Sequence, residues 1–150
     1  MRCGVLVALM AATSTASTDQ AQTSLGVSTH VVAIARIDLV NSEPVLLITD
    51  EDLQRGFVDI PEPLHLTVYS NSRNGYFLDV LPVSPVFSTV SVQGLDSVVL
   101  LPADGGTVTQ RWGRPQTVAL ALRFRFTLVD GMEPGRYSWP VRLAARPLPQ

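Results

Sequence analysis

The histidines and the clustered acids are the residues most able to do chemistry in this sequence, and neither set has the spacing that a metal site requires. His30 and His65 are the only histidines, and no fixed spacing joins them, so we interpret both as surface residues of strands. The acids at 50–52 suggest calcium, but a calcium loop of the EF-hand type needs glycine at its sixth position and glutamate at its twelfth. Counted from residue 50, those positions hold Arg55 and Pro61. We predict a solvated turn at 50–52, and no metal or other cofactor.

Catalytic motifs are absent from the sequence. It contains no nucleophile elbow, zinc-binding helix motif, phosphate-binding loop or dinucleotide fingerprint. A catalytic triad is recognised by its geometry and can be assembled from distant residues, so an unrecognised hydrolase stays open as an alternative. We predict that the protein is not an enzyme.

Three aromatic residues are candidates for a carbohydrate platform: Trp112, Trp139 and Tyr137. Tyr137 and Trp139 share the strand parity of Val141 and Leu143, because successive side chains of a strand point to opposite faces. Core packing is therefore the preferred interpretation for these two, and the platform is a weak candidate.

The charge composition argues against nucleic acid as a partner. All eleven basic residues are arginine, they are scattered, and the formal net charge is −2. A nucleic-acid-binding protein is normally basic overall or carries a basic stripe. We expect no nucleic-acid partner.

The first sixteen residues have the anatomy of a secretory signal peptide. A basic Arg2 precedes an apolar run at 3–12, and Ser14 and Ala16 form a small-x-small cleavage pair. The apolar run is too short to span a bilayer, which needs ~20 residues, and no later run is long enough. We expect a signal peptide at 1–16 and a secreted or periplasmic protein without a transmembrane segment. Its only cysteine, Cys3, would leave with the signal.

The stretch 117–128, TVALALRFRFTL, alternates apolar and other residues with the period of a half-buried strand. Its even positions are all apolar, so we predict that Leu120, Leu122, Phe124 and Phe126 face a core. Arg123 and Arg125 then lie on the solvent-exposed face of the strand, where their aliphatic stems shield apolar surface and their guanidinium groups contact acidic side chains.

Eight to ten short strands with turn residues between them are predicted along the chain. Asn74-Gly75 suits the turn of a hairpin that joins 64–70 to 76–81, and Pro140 places the last strand, 137–145, at a sheet edge or a bulge. Helix signals are nearly absent except for a turn near 50–56. The pattern favours an all-β, antiparallel, immunoglobulin-like sandwich, with 17–150 forming a single domain.

The order of segments resembles the pilin-type β-sandwiches of chaperone–usher fimbriae, in particular the spore coat U-like branch. LGVSTHVVA (25–33) resembles the family's donor segment, and ARIDLVNSEPVLLIT (35–49) resembles the first strand that follows it. LHLTVYSNSRNGYFLDV (64–80) resembles a paired strand and turn. The closing segment, 122–143, is similar to a long strand, a turn and a last strand, with Pro134, Gly135 and Tyr137 in place. Family members usually carry a disulfide where this chain has Ala35 and Ser70.

The resemblance implies a mechanical role. Such subunits accept a strand from a neighbour, after a periplasmic chaperone has delivered them to an outer-membrane usher. The expected function is a structural or accessory subunit of a fimbria-like assembly, with like or neighbouring pilus subunits as partners and the cell surface as the location of the assembled form. The candidate donor contacts are Leu25, Val27, Thr29, Val31 and Ala33; the alternative is one continuous intramolecular strand over 25–39. A stand-alone secreted binding module for carbohydrate or an envelope protein is the alternative function.

Overall fold

A computed structural model describes residues 31–41, 44–112 and 116–149, and the chain over these ranges is almost entirely β-structure. One short helix, α1, covers Asp50–Arg55. The strands are β1 (Ala35–Leu39), β2 (Leu46–Ile48), β3 (Phe57–Asp59), β4 (Leu64–Ser70), β5 (Gly75–Pro82), β6 (Phe87–Gln93), β7 (Val99–Pro102), β8 (Gly106–Arg111), β9 (Gln116–Leu128), β10 (Gly135–Tyr137) and β11 (Val141–Pro147).

The strands form two main sheets that share one core, and every pairing is antiparallel. The first sheet has the order β1-β4-β9-β6-β7, and β3 pairs with the end of β9 beyond β4. The second has the order β11-β5-β8, and β2 and β10 form a separate ribbon. Apolar side chains of both main sheets belong to a single buried cluster. The predicted all-β, antiparallel sandwich is therefore confirmed.

Strand β9 follows the parity that its sequence predicts. Leu122, Phe124 and Phe126 are almost completely buried, Leu120 is half-buried, and the odd-numbered residues from Thr117 onwards are exposed. The strand is central: β4 and β3 pair along one edge, and β6 pairs along the other. One face is then buried against the second sheet, which fixes the register strongly because a shift of one residue would reverse every side chain.

The helix α1 forms where the sequence predicts a helical turn. Thr49 accepts a hydrogen bond from the backbone N–H of Asp52 at 3.2 Å, and the Asp52 carboxylate accepts one from the N–H of Thr49 at 2.9 Å. This reciprocal pair is a capping box, which satisfies N–H groups that a helix start otherwise leaves free. Gly56 ends the helix at φ +75°, a left-handed conformation that glycine adopts at little cost.

Two expectations about the connections are corrected. The described ranges contain eleven strands rather than eight to ten, because the predicted strand at 137–145 is divided at Pro140 into β10 and β11. Proline has no N–H for a β-ladder, so the pairing breaks there. The predicted hairpin at Asn74-Gly75 is wrong, because β4 lies in the first sheet and β5 in the second.

Gly75 is the first residue of β5, directly after the connection that crosses from the first sheet to the second. Its φ is +114°, and a Cβ at this position would lie 2.0 Å from the backbone oxygen of Gln110 in β8. The residue that resembles a hairpin glycine is thus required by a close approach between β5 and β8.

Candidate functional site

The outer edge of β1 carries backbone groups that no described strand pairs with. The N–H of Val40 donates to the carbonyl of His65 at 2.9 Å, so the even-numbered residues of this strand direct their backbone groups towards β4. Because these directions alternate in an antiparallel pair, the backbone groups of the odd-numbered residues point to the other side. Those residues are Ala35, Ile37 and Leu39.

The outer edge of β11 has the same property. The N–H of Val83 donates to the carbonyl of Pro140 at 2.8 Å, and the N–H of Leu148 donates to the carbonyl of Gly75 at 3.1 Å. The even-numbered residues of β11 therefore face β5, and the backbone groups of Leu143 and Ala145 point away from it. No strand in the described ranges pairs with this edge.

These two edges approach each other where the two sheets meet, and we call this place the seam. Strands β1 and β11 are in contact but form no ladder. Ala35, Ile37, Leu143 and Ala145 line the seam as half-buried side chains packed against the core. The seam thus combines unpaired backbone groups with apolar side chains, which is what an added β-strand requires.

The seam coincides with the position of one strand in the immunoglobulin fold. That fold has strands A, B, E and D in one sheet and C, F and G in the other. The run β1-β4-β9-β6 reproduces the order A-B-E-D, and β5 pairs with β11 as C pairs with F. Strand G would lie along the outer edge of β11, where no described residue forms a strand.

A buried carboxylate holds β11 in register with the rest of its sheet. Asp79 in β5 accepts hydrogen bonds from Nε and Nη2 of Arg146 at 2.6 and 2.9 Å, and from the Thr107 hydroxyl of β8 at 2.6 Å. Asp79 is 7% exposed. The hydrogen bonds from Arg146 hold the pKa of this carboxyl below its ordinary value, although burial opposes the shift. One side chain thereby links all three strands.

The candidate donor contacts lie mostly outside the described residues. Leu25, Val27 and Thr29 belong to the part of the chain that the structure does not describe. Val31 is exposed and Ala33 is half-buried, and both precede β1 in a segment without regular structure. The choice between a donor segment and one continuous strand over 25–39 therefore stays a prediction.

Asn71 fixes the chain just before β1. Its Oδ1 accepts from the N–H of Ile34 at 2.7 Å, and its Nδ2 donates to the carbonyl of Val32 at 2.9 Å. Its backbone N–H also donates to the carbonyl of Ile34 at 3.2 Å. The chain is thus held to its own domain from Val32 onwards, while Val31 and Val32 expose 65% and 66% of their surface.

The two arginines of β9 lie on the exposed face, as predicted, but only one meets an acid among the described residues. Arg125 donates to both carboxylate oxygens of Asp59, at 2.6 and 2.9 Å, and its guanidinium lies 4.4 Å from the centre of the Phe57 ring. Arg123 forms no ion pair with any residue that the structure describes. His65 is also exposed, as expected.

The structure separates the three aromatic platform candidates. Trp139 is a core residue, edge-on to the rings of Phe124 and Phe126 at 5.2 and 5.5 Å. Tyr137 is half-buried, and its hydroxyl donates to the carbonyl of Glu133 at 2.9 Å. Trp112 is different, because it lines a surface cleft. Core packing, which the parity predicts for both residues, holds for Trp139 and also for Tyr137, which packs against the core cluster. Trp112 is the one of the three that lines a cleft.

The Trp112 cleft has a volume of about 260 Å³ and lies beside β8, at the opposite edge of the second sheet from the seam. Trp112 is held by a hydrogen bond from its Nε1 to the carbonyl of Ser72 at 2.8 Å, and its ring lies 4.9 Å from that of Tyr76. The other lining residues come from β8, β9 and the turn after β6: Gly94, Leu95, Asp96, Gln110, Arg111, Gln116, Val118 and Leu120. Sequence reasoning missed this grouping because its members are distant along the chain.

Two further observations bound the chemistry. In the described part of the chain, no cluster of three or more histidine, cysteine or acidic residues could hold a metal ion. None of the helices in the same ranges has the length and apolar character to cross a membrane.

Comparisons with known proteins assign this chain to no family, so its classification rests on its fold. No family model, curated protein or solved structure matches the chain. The protein is thus an antiparallel β-sandwich whose described edges include the seam.

Proposed function

We propose that this protein is a structural or accessory subunit of a fimbria-like surface assembly whose subunits join by strand donation. The seam is the observation that carries the proposal. β1 and β11 are in contact, so a strand added there would first move them apart by about one strand spacing. It would then hydrogen-bond to the outward backbone groups of Leu143 and Ala145 on one side and of Ala35 and Ile37 on the other. Main-chain hydrogen bonds would supply the affinity, and alternate side chains of the added strand would fill the seam.

The segment that precedes Val32 in a neighbouring subunit is the donor that fits this seam. Leu25, Val27, Thr29 and Val31 would project on one side of an extended strand, towards the apolar lining. Asn71 fixes the chain at Val32 and Ile34, so the donated part would end near Val31. Ala33 would then stay with its own domain.

The positions of the family disulfide provide separate support for the resemblance. Ala35 and Ser70 are direct cross-strand partners in the β1–β4 ladder. Val40 and His65 form a hydrogen-bonded pair, and hydrogen-bonded and non-hydrogen-bonded pairs alternate along an antiparallel ladder. Ala35 and Ser70 are therefore a non-hydrogen-bonded pair, in which the Cα atoms lie ~4.5 Å apart. That separation lies within the range of disulfides. The resemblance also implies a periplasmic chaperone and an outer-membrane usher as partners.

A proline in β11 tests the proposal. The N–H of Ala145 points into the seam, so Ala145→Pro removes a donor that the domain itself does not use. Ala145→Ser, which keeps the N–H and nearly the same volume, is the matched control. We expect the wild type and the serine variant to form chains during size-exclusion chromatography, and the proline variant to stay monomeric with an unchanged β-sheet circular dichroism spectrum.

Deletion of residues 17–33 tests the donor. The truncated protein should lose the ability to form chains, and a peptide of sequence 25–33 should bind to it and raise its melting temperature. A wild type that is a stable monomer at every concentration would refute strand donation. Assembly of the proline variant as efficient as that of the wild type would refute the seam as the acceptor. Only the first result would favour the stand-alone binding module, since a proline variant that still assembles would move the acceptor to another edge.

A further inference from the structure

The Trp112 cleft presents a tyrosine hydroxyl to which no described residue forms a hydrogen bond. Tyr76 is 1% exposed, and its side chain lines the cleft. Among the described residues, nothing forms a hydrogen bond with its hydroxyl, and the hydroxyl is not one of the fully enclosed unpaired atoms, so it can be reached from the cleft. A hydroxyl left in this position is available to a ligand that enters the cleft.

The rest of the cleft divides into an apolar part and a polar rim. Trp112, Val118, Leu120 and Leu95 are half-buried and supply apolar surface. The rim is formed by other residues: Gln110, Gln116 and the oppositely charged pair of residue types Asp96 and Arg111. An aromatic ring with apolar neighbours and a few converging polar groups is the usual composition of a small-molecule site.

The polar groups indicate the chemistry of the ligand. An amide both donates and accepts hydrogen bonds, a carboxylate accepts, the Arg111 guanidinium donates, and a tyrosine hydroxyl does both. A set of this kind is complementary to neighbouring hydroxyl groups, each of which also donates and accepts. The aromatic and aliphatic surface is complementary to C–H groups on the other side of the same molecule.

We propose that the Trp112 cleft binds a single neutral pyranose ring of a saccharide. The ring's C–H face packs on Trp112 and Leu95, and its hydroxyls reach the Tyr76 hydroxyl and the amides of Gln110 and Gln116. The volume of about 260 Å³ lies near the lower end for ligand sites, which suits one sugar unit at the end of a glycan.

Nuclear magnetic resonance of the full mature protein tests this proposal, because its two tryptophans give separate indole signals. The probes are the methyl glycosides of glucose, galactose, mannose and N-acetylglucosamine at millimolar concentrations. We expect at least one of them to shift the indole resonance of Trp112 and to leave that of Trp139 unchanged, since Trp139 is buried in the core.

Tyr76→Phe is the decisive variant, because it removes only the unpaired hydroxyl and leaves the ring in place. It should fold as well as the wild type and bind the glycoside about five-fold more weakly, the loss typical of one hydrogen bond. Tyr137→Phe is the matched control, since Tyr137 lies outside the cleft, and its affinity should equal that of the wild type.

Two results would overturn the proposal. One is that none of the four glycosides moves the Trp112 resonance, and the other is equal affinity of Tyr76→Phe and the wild type. Because the cleft and the seam lie at opposite edges of the second sheet, neither result bears on strand donation.

Discussion

Replacement of Phe124 by alanine measures how much of the stability rests on the buried face of β9. Phe124 is 2% exposed, stacks on Phe126 at 5.9 Å and meets Trp139 edge-on at 5.2 Å. Removal of the ring loses its burial and leaves a cavity, at a cost of ~3 to 5 kcal/mol. The lost aromatic pairs bring the cost towards the upper end of that range. A typical domain has a total of ~5 to 15 kcal/mol, so this variant keeps only part of its stability.

Arg125→Ala is the matched control, because it changes the next residue of the same strand on the opposite face. Arg125 pairs with Asp59 in solvent, and an exposed ion pair contributes under ~1 kcal/mol. Urea unfolding followed by circular dichroism compares the two variants. We expect the Phe124 variant to lower the midpoint by about 1 to 3 M and the Arg125 variant to change it little. Equal midpoints would refute the assignment of the two faces.

Two further predictions concern buried titratable groups. Asp79→Asn should lower the free energy of unfolding by ~1 to 3 kcal/mol, because it weakens the bonds from Arg146, whereas Asp59→Asn at an exposed pair should cost under ~1 kcal/mol. The contribution of Asp79 depends on its lowered pKa, so the wild type should lose stability as the pH falls below ~4. In urea unfolding, the free energy of unfolding of the asparagine variant should depend less on pH in this acid range. Burial, with a smaller effect of Asp96, raises the pKa of Tyr76 to about 12. The unfolded chain releases this proton first, so the free energy of unfolding should fall by ~2 to 3 kcal/mol between pH ~10 and ~12. Tyr76→Phe should remove that loss, and an unchanged alkaline limb would contradict it.

Local features of the sequence determine the elements themselves. The alternation at 117–128 predicts which side chains of β9 are buried, because the two faces of a strand are set by adjacent residues alone. The short helix is equally local, since its cap is built from Thr49 and Asp52, three residues apart. The antiparallel β-class and the break near Pro140 follow from the same kind of signal.

The partners of each strand are decided only by the tertiary structure. Asn74-Gly75 has the composition of a hairpin turn, yet β4 and β5 pair in different sheets, because both must bury an apolar face in the same core. Gly75 allows the backbone of β5 to lie close to the backbone of Gln110 in β8, and no local sequence pattern predicts this contact.

The candidate sites depend on the same long-range packing. The seam exists because β1 and β11 are both edge strands, and edges are defined by which strands do not pair. The cleft joins Tyr76 and Trp112 to the start of β9, and Asp79 meets Arg146 across 67 positions. A single sequence carries the parity of each strand, but contacts between distant strands depend on how all the apolar faces pack together, and only the folded chain specifies that arrangement.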